Sequence, residues 1–299
     1  MSNDKRVQFD FVIEFLNGGA LQGQDFRLDI DRDDIEDRAL ADYIVRDLRL
    51  LMVAKVSIMN KQIISESHKR TDLAASASDG TSNRLIDLSH TIEDGMITYK
   101  GLPAPLICDH LSRTQSRDHY APGTEFQIGK ITMVSNTGTY IDSPFHRFAD
   151  GTDIADLTLS KLANMDALLV RIGPDDKRAI PRDAFAAFDL RGKAVLIETD
   201  WDRHWRTDQY FEGHPYLTAD AAEFLRSSEV TLVGIDSLNI DDTRDLRRPV
   251  HTTLLGAGIP IVEHLTGLSQ LPASGFRFSA VPPKVRGMGT FPVRAYATL

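Results

Sequence analysis

From Ala74 to Asn83 the chain reads Ala-Ala-Ser-Ala-Ser-Asp-Gly-Thr-Ser-Asn, a run of small and polar residues without any apolar period. Such a stretch can bury almost nothing, so it reads as a linker through which no single core can be drawn. It divides the chain into a small module, residues 1–73, and a larger one, residues 84–299. In the small module Val7 to Leu16 is rich in β-branched and aromatic residues, Asn17-Gly18-Gly19 carries turn chemistry, and Phe26 to Ile30 alternates again. Together these predict a hairpin. Leu40, Tyr43, Ile44, Leu48 and Leu51 recur three and four apart, which predicts a helix from Asp37 to about Ala54, with Val56 to Ile64 returning as a strand. The module is thus expected to be a compact α+β unit holding neither clustered metal ligands nor a nucleophile. Oligomerisation or docking against the larger part is its expected role, with a lid over a site in that part as the rival.

Beyond the linker, short apolar runs alternate with Gly, Pro and Asp turns. Ile128 to Val134, Ala167 to Ile172, Ala194 to Glu198, Val230 to Ile235 and Ile259 to Val262 read as strands. Pro181 to Phe188, with proline in a first turn, and Thr218 to Arg226, with Thr218 as a cap, read as helices. The larger module is therefore mixed α/β, without internal repeats. With 42% hydrophobic residues in 299, the chain can bury a sizeable core. No run approaches a membrane span and no basic-then-apolar leader opens the chain, so the cytoplasm is the expected location. The single cysteine, Cys108, rules out an intrachain disulfide and a cysteine-rich zinc site, and is expected to be a small packed apolar residue. An excess of 43 acidic over 34 basic residues, net −9, argues against nucleic acid as the main partner.

The segment Ser135 to His146, Ser-Asn-Thr-Gly-Thr-Tyr-Ile-Asp-Ser-Pro-Phe-His, carries the chemistry. Gly138 permits a tight or left-handed turn, Pro144 stiffens an extended stretch, and Asp142 and His146 stand four apart beside them. The segment resembles the H-x-G-T-H-x-D-x-P-x-H motif of the cyclase family, which includes bacterial kynurenine formamidases (arylformamidases) and isatin hydrolases. Asn136 and Tyr140 occupy the places of the two leading histidines. Further landmarks follow in order over about two-thirds of the chain: Leu85 to His90, Thr199-Asp200-Trp201, His214 to Leu217, Val233 to Ser237, His251 to Leu255, and Ile261 to Leu265. The resemblance implies a swivelling β/β/α architecture, a metal pocket near a subunit interface of a homo-oligomer, and Asp142, His251 and Glu263 as the ligands that persist. In relatives with two metals, the first uses the leading histidines and the second uses this trio.

Imidazole nitrogen and carboxylate oxygen suit a borderline divalent cation, Zn²⁺ or Mn²⁺, and three protein ligands with an open position are usual in hydrolytic centres. The loss of two imidazoles leaves a metal-free pocket as the alternative. Asn136 offers a carbonyl oxygen in place of the missing imidazole, and Tyr140 a phenol. Asp142 has an alternative as an Asx-turn residue, whereas Glu263, in an apolar strand, must be paired or coordinated to be buried. His146, whose ordinary pKa near 6.5 permits exchange near neutrality, is the candidate for proton transfer, the role of its family counterpart. His90, His204, His214 and His264 stay outside the catalytic set, His214 shaping a turn before its proline. Trp201, with Trp205, Tyr210 and Phe211, walls a substrate or packs a core, and Arg247-Arg248 are candidates for a substrate carboxylate, with solvated loop charge as the alternative. No nucleophile elbow, phosphate loop or H-E-x-x-H helix is present. The expected function is a hydrolase that opens a C–N bond in an amide or cyclic amide, arylformamidase-like, using activated water and His146 as acid and base. Metal-free catalysis with His146 or Glu263 as base, a lyase, dehydratase or cyclase in the same pocket, and a ligand-binding or assembly protein with a degenerate site are the alternatives.

Overall fold

The computed structural model describes residues 5–16, 18–30, 34–47, 53–65, 84–173 and 178–299, which fall into two compact units, 1–81 and 82–299. The linker residues 74–83, and with them Asn17, Leu48 and Leu51, lie outside the described residues. In the first unit Lys5–Phe15 and Ala20–Ile30 form the hairpin, and Val53–Ser65 pairs antiparallel with the other edge of the first strand. The two-residue alternation of a strand sends Val7, Phe9, Phe11 and Ile13 to one buried face. Against it pack Leu40 and Ile44, four apart on the helix Asp37–Asp47. The helix does not reach Ala54: Val53 and Ala54 already belong to the third strand, whose β-branched run Val53, Val56 and Ile58 suits a pleated surface better than a helix.

The second unit is mixed α/β, built on a nine-stranded sheet. Its centre is parallel, in the order Met165–Arg171, Ala194–Glu198, Leu232–Ile235 and Ile261–Glu263. Each of these strands is buried on both faces, as the near-continuous apolar runs require. Ala167, Leu169, Ala194 and Leu196 face one core, while Leu168, Val170, Val195 and Ile197 face another that includes Ala222, Leu225, Val250 and Leu254 of two helices. Antiparallel strands finish both sides. Beyond Met165–Arg171 lie Ser274–Ser279, Tyr296–Thr298 and Leu85–Asp87, and beyond Ile261–Glu263 lie Tyr140–Asp142 and Thr290–Pro292.

Four local expectations change. Pro181 to Phe188 forms only one 3₁₀ turn, Arg182–Ala184, because Phe185 turns inward to complete burial and ends it. Thr218 does precede a helix, Ala219–Ser227, but its hydroxyl donates to the Ile180 carbonyl rather than capping. Cys108 is exposed, since it lies on a two-stranded ribbon, Leu106–Leu111 with Ile128–Thr132, almost wholly open to solvent. A helix at Pro249–Gly256 was not anticipated and carries His251. Among the described residues no helix is long and apolar enough to cross a membrane.

Because Ile44 is fully buried within the small core of the first unit, Ile44→Ala should cost about 2–5 kcal/mol there. Hydrogen exchange checks this: protection of the strands within residues 5–65 should fall while the nine-stranded sheet stays protected. Equal loss in both would show that the units do not hold separate cores.

Candidate active site

Strand register builds the floor of the site. Tyr140 and Asp142, two apart on one strand, face the same way. On one neighbouring strand Glu263 lies opposite Tyr140, and on the other Thr290 lies opposite Asp142. Four polar groups thus meet across three neighbouring strands. His251 enters from the helix Pro249–Gly256, whose first backbone N–H groups are taken by Asp241: Oδ1 accepts from Val250 N at 2.8 Å and Oδ2 from His251 N at 3.0 Å. The same Oδ2 lies 2.7 Å from His251 Nδ1. A carboxylate can only accept, so Nδ1 carries the proton and Nε2 points inward. Nε2 stands 3.5 Å from Asp142 Oδ2 and 3.8 Å from Glu263 Oε1.

Charge is unbalanced at this point. Asp142, Asp241 and Glu263 are buried around the imidazole of His251. Burial lowers the pKa of His251, but the adjoining Asp142 and Asp241 and the charge of Glu263 outweigh it and raise the pKa to about 10. Burial pushes Glu263 up to about 7, against the opposing charge of His251. The Asp142 Oδ2 atom is buried without a hydrogen-bond partner. An unpartnered buried carboxylate oxygen beside an imidazole nitrogen aimed at it is costly as it stands and is the donor set a divalent cation takes. The residues present therefore fit a cation, which would replace the proton on Nε2. Ligand atoms of Asp142, His146 and His251 lie within 4.8 Å of one another. The geometry thus adds His146 to the ligands available, while Glu263 adjoins them through His251.

The other half of Asp142 is held firmly. Thr290 donates its hydroxyl proton to Asp142 Oδ1 and lies 2.8 Å from His146 Nδ1. Having given its only proton to the carboxylate, Thr290 accepts from Nδ1–H, and Nε2 of His146 remains the basic atom. His146 sits in a short 3₁₀ turn, Pro144–His146, whose backbone rests on Gly289: a Cβ there would stand 2.5 Å from the His146 Cα. Gly289 therefore serves close backbone approach.

A cavity of about 290 Å³ opens over these groups. Asn136 and Tyr140 both line it. The Tyr140 phenol, held protonated by burial, donates to Glu263 Oε2 at 2.7 Å, and the backbone N–H of Ile240 donates to Glu263 Oε1 at 2.7 Å. Behind Tyr140 lies His264, 3.3 Å from its hydroxyl and 2.7 Å from that of Tyr210, kept neutral by burial. Trp201 does not line the cavity; its indole N–H donates to the Tyr210 carbonyl. Trp205 stacks on His90 at 3.9 Å, so the aromatic segment packs behind the site. His214 does more than shape a turn, since its Nε2 lies 3.0 Å from the Asp241 carbonyl and steadies that loop. Thr290, Asp241 and Gly289 are the functional positions that sequence reasoning missed. Neither Asp241 nor Thr290 had a signal, because only the fold brings Asp241 to the start of the His251 helix and only the register brings Thr290 to Asp142.

Fold and site together define a family of small-molecule enzymes. Residues 86–242 match the family described as "Putative cyclase", and the chain belongs to it. Kynurenine formamidase from Bacillus cereus is 30% identical over 175 residues, which cover 56% of this chain and 78% of the relative. A structure described as a potential metal-dependent hydrolase with cyclase activity superposes with a TM-score of 0.60 at 26% identity, covering 72% of this chain and 97% of its own. Isatin hydrolase A from Labrenzia aggregata, at a TM-score of 0.63 and 21% identity, shares the fold over 72% of this chain and 93% of its own.

Thr290→Val keeps size and removes the bridge between Asp142 and His146. Turnover should fall by about 10–100-fold, the usual cost of losing an orienting partner. Gly289→Ala should lower it too by displacing the His146 backbone. Steady-state kinetics with a fold control by circular dichroism checks both, and unchanged turnover in Thr290→Val would show that His146 is positioned by something else.

Proposed function

We propose that the chain is a hydrolase that opens a C–N bond in an amide or cyclic amide, with arylformamide-like substrates first in line. The observation that carries this reading is the unpartnered Asp142 Oδ2 facing His251 Nε2, with a half-open imidazole, His146, on the other side of the same carboxylate. The relatives named above, a formamidase and a metal-dependent hydrolase, support it. Asp142, His251 and Glu263 would hold one divalent ion, Zn²⁺ or Mn²⁺. When bound, such an ion acidifies water and polarises a carbonyl. The residues of this chain do the rest. Asp241 keeps one His251 proton on Nδ1, so that Nε2 is the nitrogen that would exchange its proton for the ion. Tyr140, in the place of a family histidine, donates to Glu263 and fixes which carboxylate oxygen faces His251. His146 takes a proton from the attacking water at Nε2 and delivers it to the leaving nitrogen. Leu102 gives the cavity an apolar wall, and Asn136 a polar one.

One observation favours a second reading. Glu263 is pushed up to about 7 by burial, within reach of general acid–base work near neutrality. A metal-free lyase, dehydratase or cyclase would use it together with His146. We also propose that the unit 1–81 serves assembly as a homo-oligomer in the cytoplasm, since its described residues hold no cluster of metal ligands.

Metal analysis of the purified chain should find about one Zn²⁺ or Mn²⁺ per chain, lost in Glu263→Ala. Stoichiometric metal that survives both Asp142→Ala and Glu263→Ala would place the ion elsewhere. His146→Asn should lower turnover of a hydrolysed formamide by roughly 10² to 10⁴-fold while leaving the metal bound. Loss of metal in that variant would make His146 a ligand and overturn its proton-transfer role.

A further inference from the structure

Two guanidinium groups line the cavity, Arg147 and Arg248, and neither has a carboxylate within ion-pair distance among the described residues. Their neighbours are different. Arg244 grips Asp242 through two contacts of 3.0 and 2.8 Å, and Arg247 grips Asp245 in the same way at 3.0 and 2.8 Å. The loop before the His251 helix therefore neutralises two of its three arginines and leaves Arg248 unneutralised. Arg248 is also the one in left-handed backbone, φ 51° and ψ 58°. That conformation is uncommon for a residue with a side chain and is kept where the surroundings enforce it.

Each of the two arginines is anchored by one N–H and keeps the rest of its donor fork. Arg248 Nη1 donates to Asn239 Oδ1 at 3.1 Å, and Asn239 Nδ2 in turn reaches Glu263 at 3.4 Å. Arg147 Nε donates to Thr252 Oγ1 at 3.2 Å, on the helix that carries His251. Arg147 also directly follows His146. Both cations are thus tied to walls of the same cavity, above a floor made of carboxylates. A planar donor fork without a partner, held beside a reaction site, matches an incoming carboxylate bidentately.

We propose that Arg147 and Arg248 clamp a carboxylate of the substrate, so that the site takes amides bearing a free acid group rather than neutral amides. This deepens the hydrolase reading and rests on it for the reaction, but the clamp itself is a matter of binding. The clamp settles orientation: the acid end sits at the arginines, leaving the scissile amide to face Asp142, His146 and His251.

Calorimetric binding of N-formylphenylalanine and its C-terminal amide to the full-length His146→Asn chain tests this, because the two probes differ in charge and scarcely in shape. The acid should bind at least about tenfold more tightly than the amide. Arg147→Met and Arg248→Met should each reduce that ratio, the double variant should abolish it, and Arg247→Met, whose cation is already paired, should leave it unchanged. Equal affinity for the two probes, binding of neither, or a ratio that survives the double variant would overturn the clamp. The last result would assign the preference to a bound cation. Because binding is read, absence of amide hydrolysis by the native chain bears on the hydrolase reading alone and leaves the clamp standing.

Discussion

Burying three carboxyl groups, Asp142, Asp241 and Glu263, around one imidazole is the constraint to which the rest of the site answers. Asp241 is satisfied by two backbone N–H groups and His251 Nδ1. Glu263 is satisfied by the Tyr140 phenol and the backbone of Ile240. Asp142 is satisfied on one oxygen only, by Thr290. The remaining oxygen has no hydrogen-bond partner among the described residues and faces only His251 Nε2 at 3.5 Å, and a buried polar atom without a hydrogen bond costs about 1–3 kcal/mol. A cation held by these side chains would remove that cost and would supply the chemistry of the hydrolase proposed above.

The sheet makes the cluster possible. The parallel strands are buried on both faces, and the cluster forms where the last of them, Ile261–Glu263, meets its antiparallel neighbour Tyr140–Asp142. There Tyr140 and Asp142 share a face, and each finds its partner directly across a strand pair. The replacement of two family histidines by Asn136 and Tyr140 changes the role of the position rather than emptying it. Tyr140 has become the hydrogen-bond partner of Glu263, backed by His264 and Tyr210. Tyr140 thus supports the carboxylates around His251 in place of offering an imidazole.

Much of this was legible in sequence for definite reasons. The parallel strands are apolar runs bounded by turns, and Ala194–Glu198 appears where its composition places it. Asp142, His146, His251 and Glu263 were found by motif, and the structure brings them together. What could not be read depends on register or on competition between local and tertiary preference. Thr290 is an unremarkable threonine until it pairs opposite Asp142. The helix expected to reach Ala54 gives way where β-branched residues can join a sheet, and the one expected over Pro181 to Phe188 stops where Phe185 turns into the core. Cys108 reads as a packed residue because free cysteine usually is one; it is exposed because its ribbon has no cover among the described residues.

The account rests on a cation at Asp142. Anomalous diffraction at the zinc and manganese absorption edges, from crystals of the chain incubated with each metal, locates such an ion directly. The account predicts a peak among the side chains of Asp142, His251 and Glu263. A pocket without a peak for either metal, or a peak away from Asp142, would contradict it.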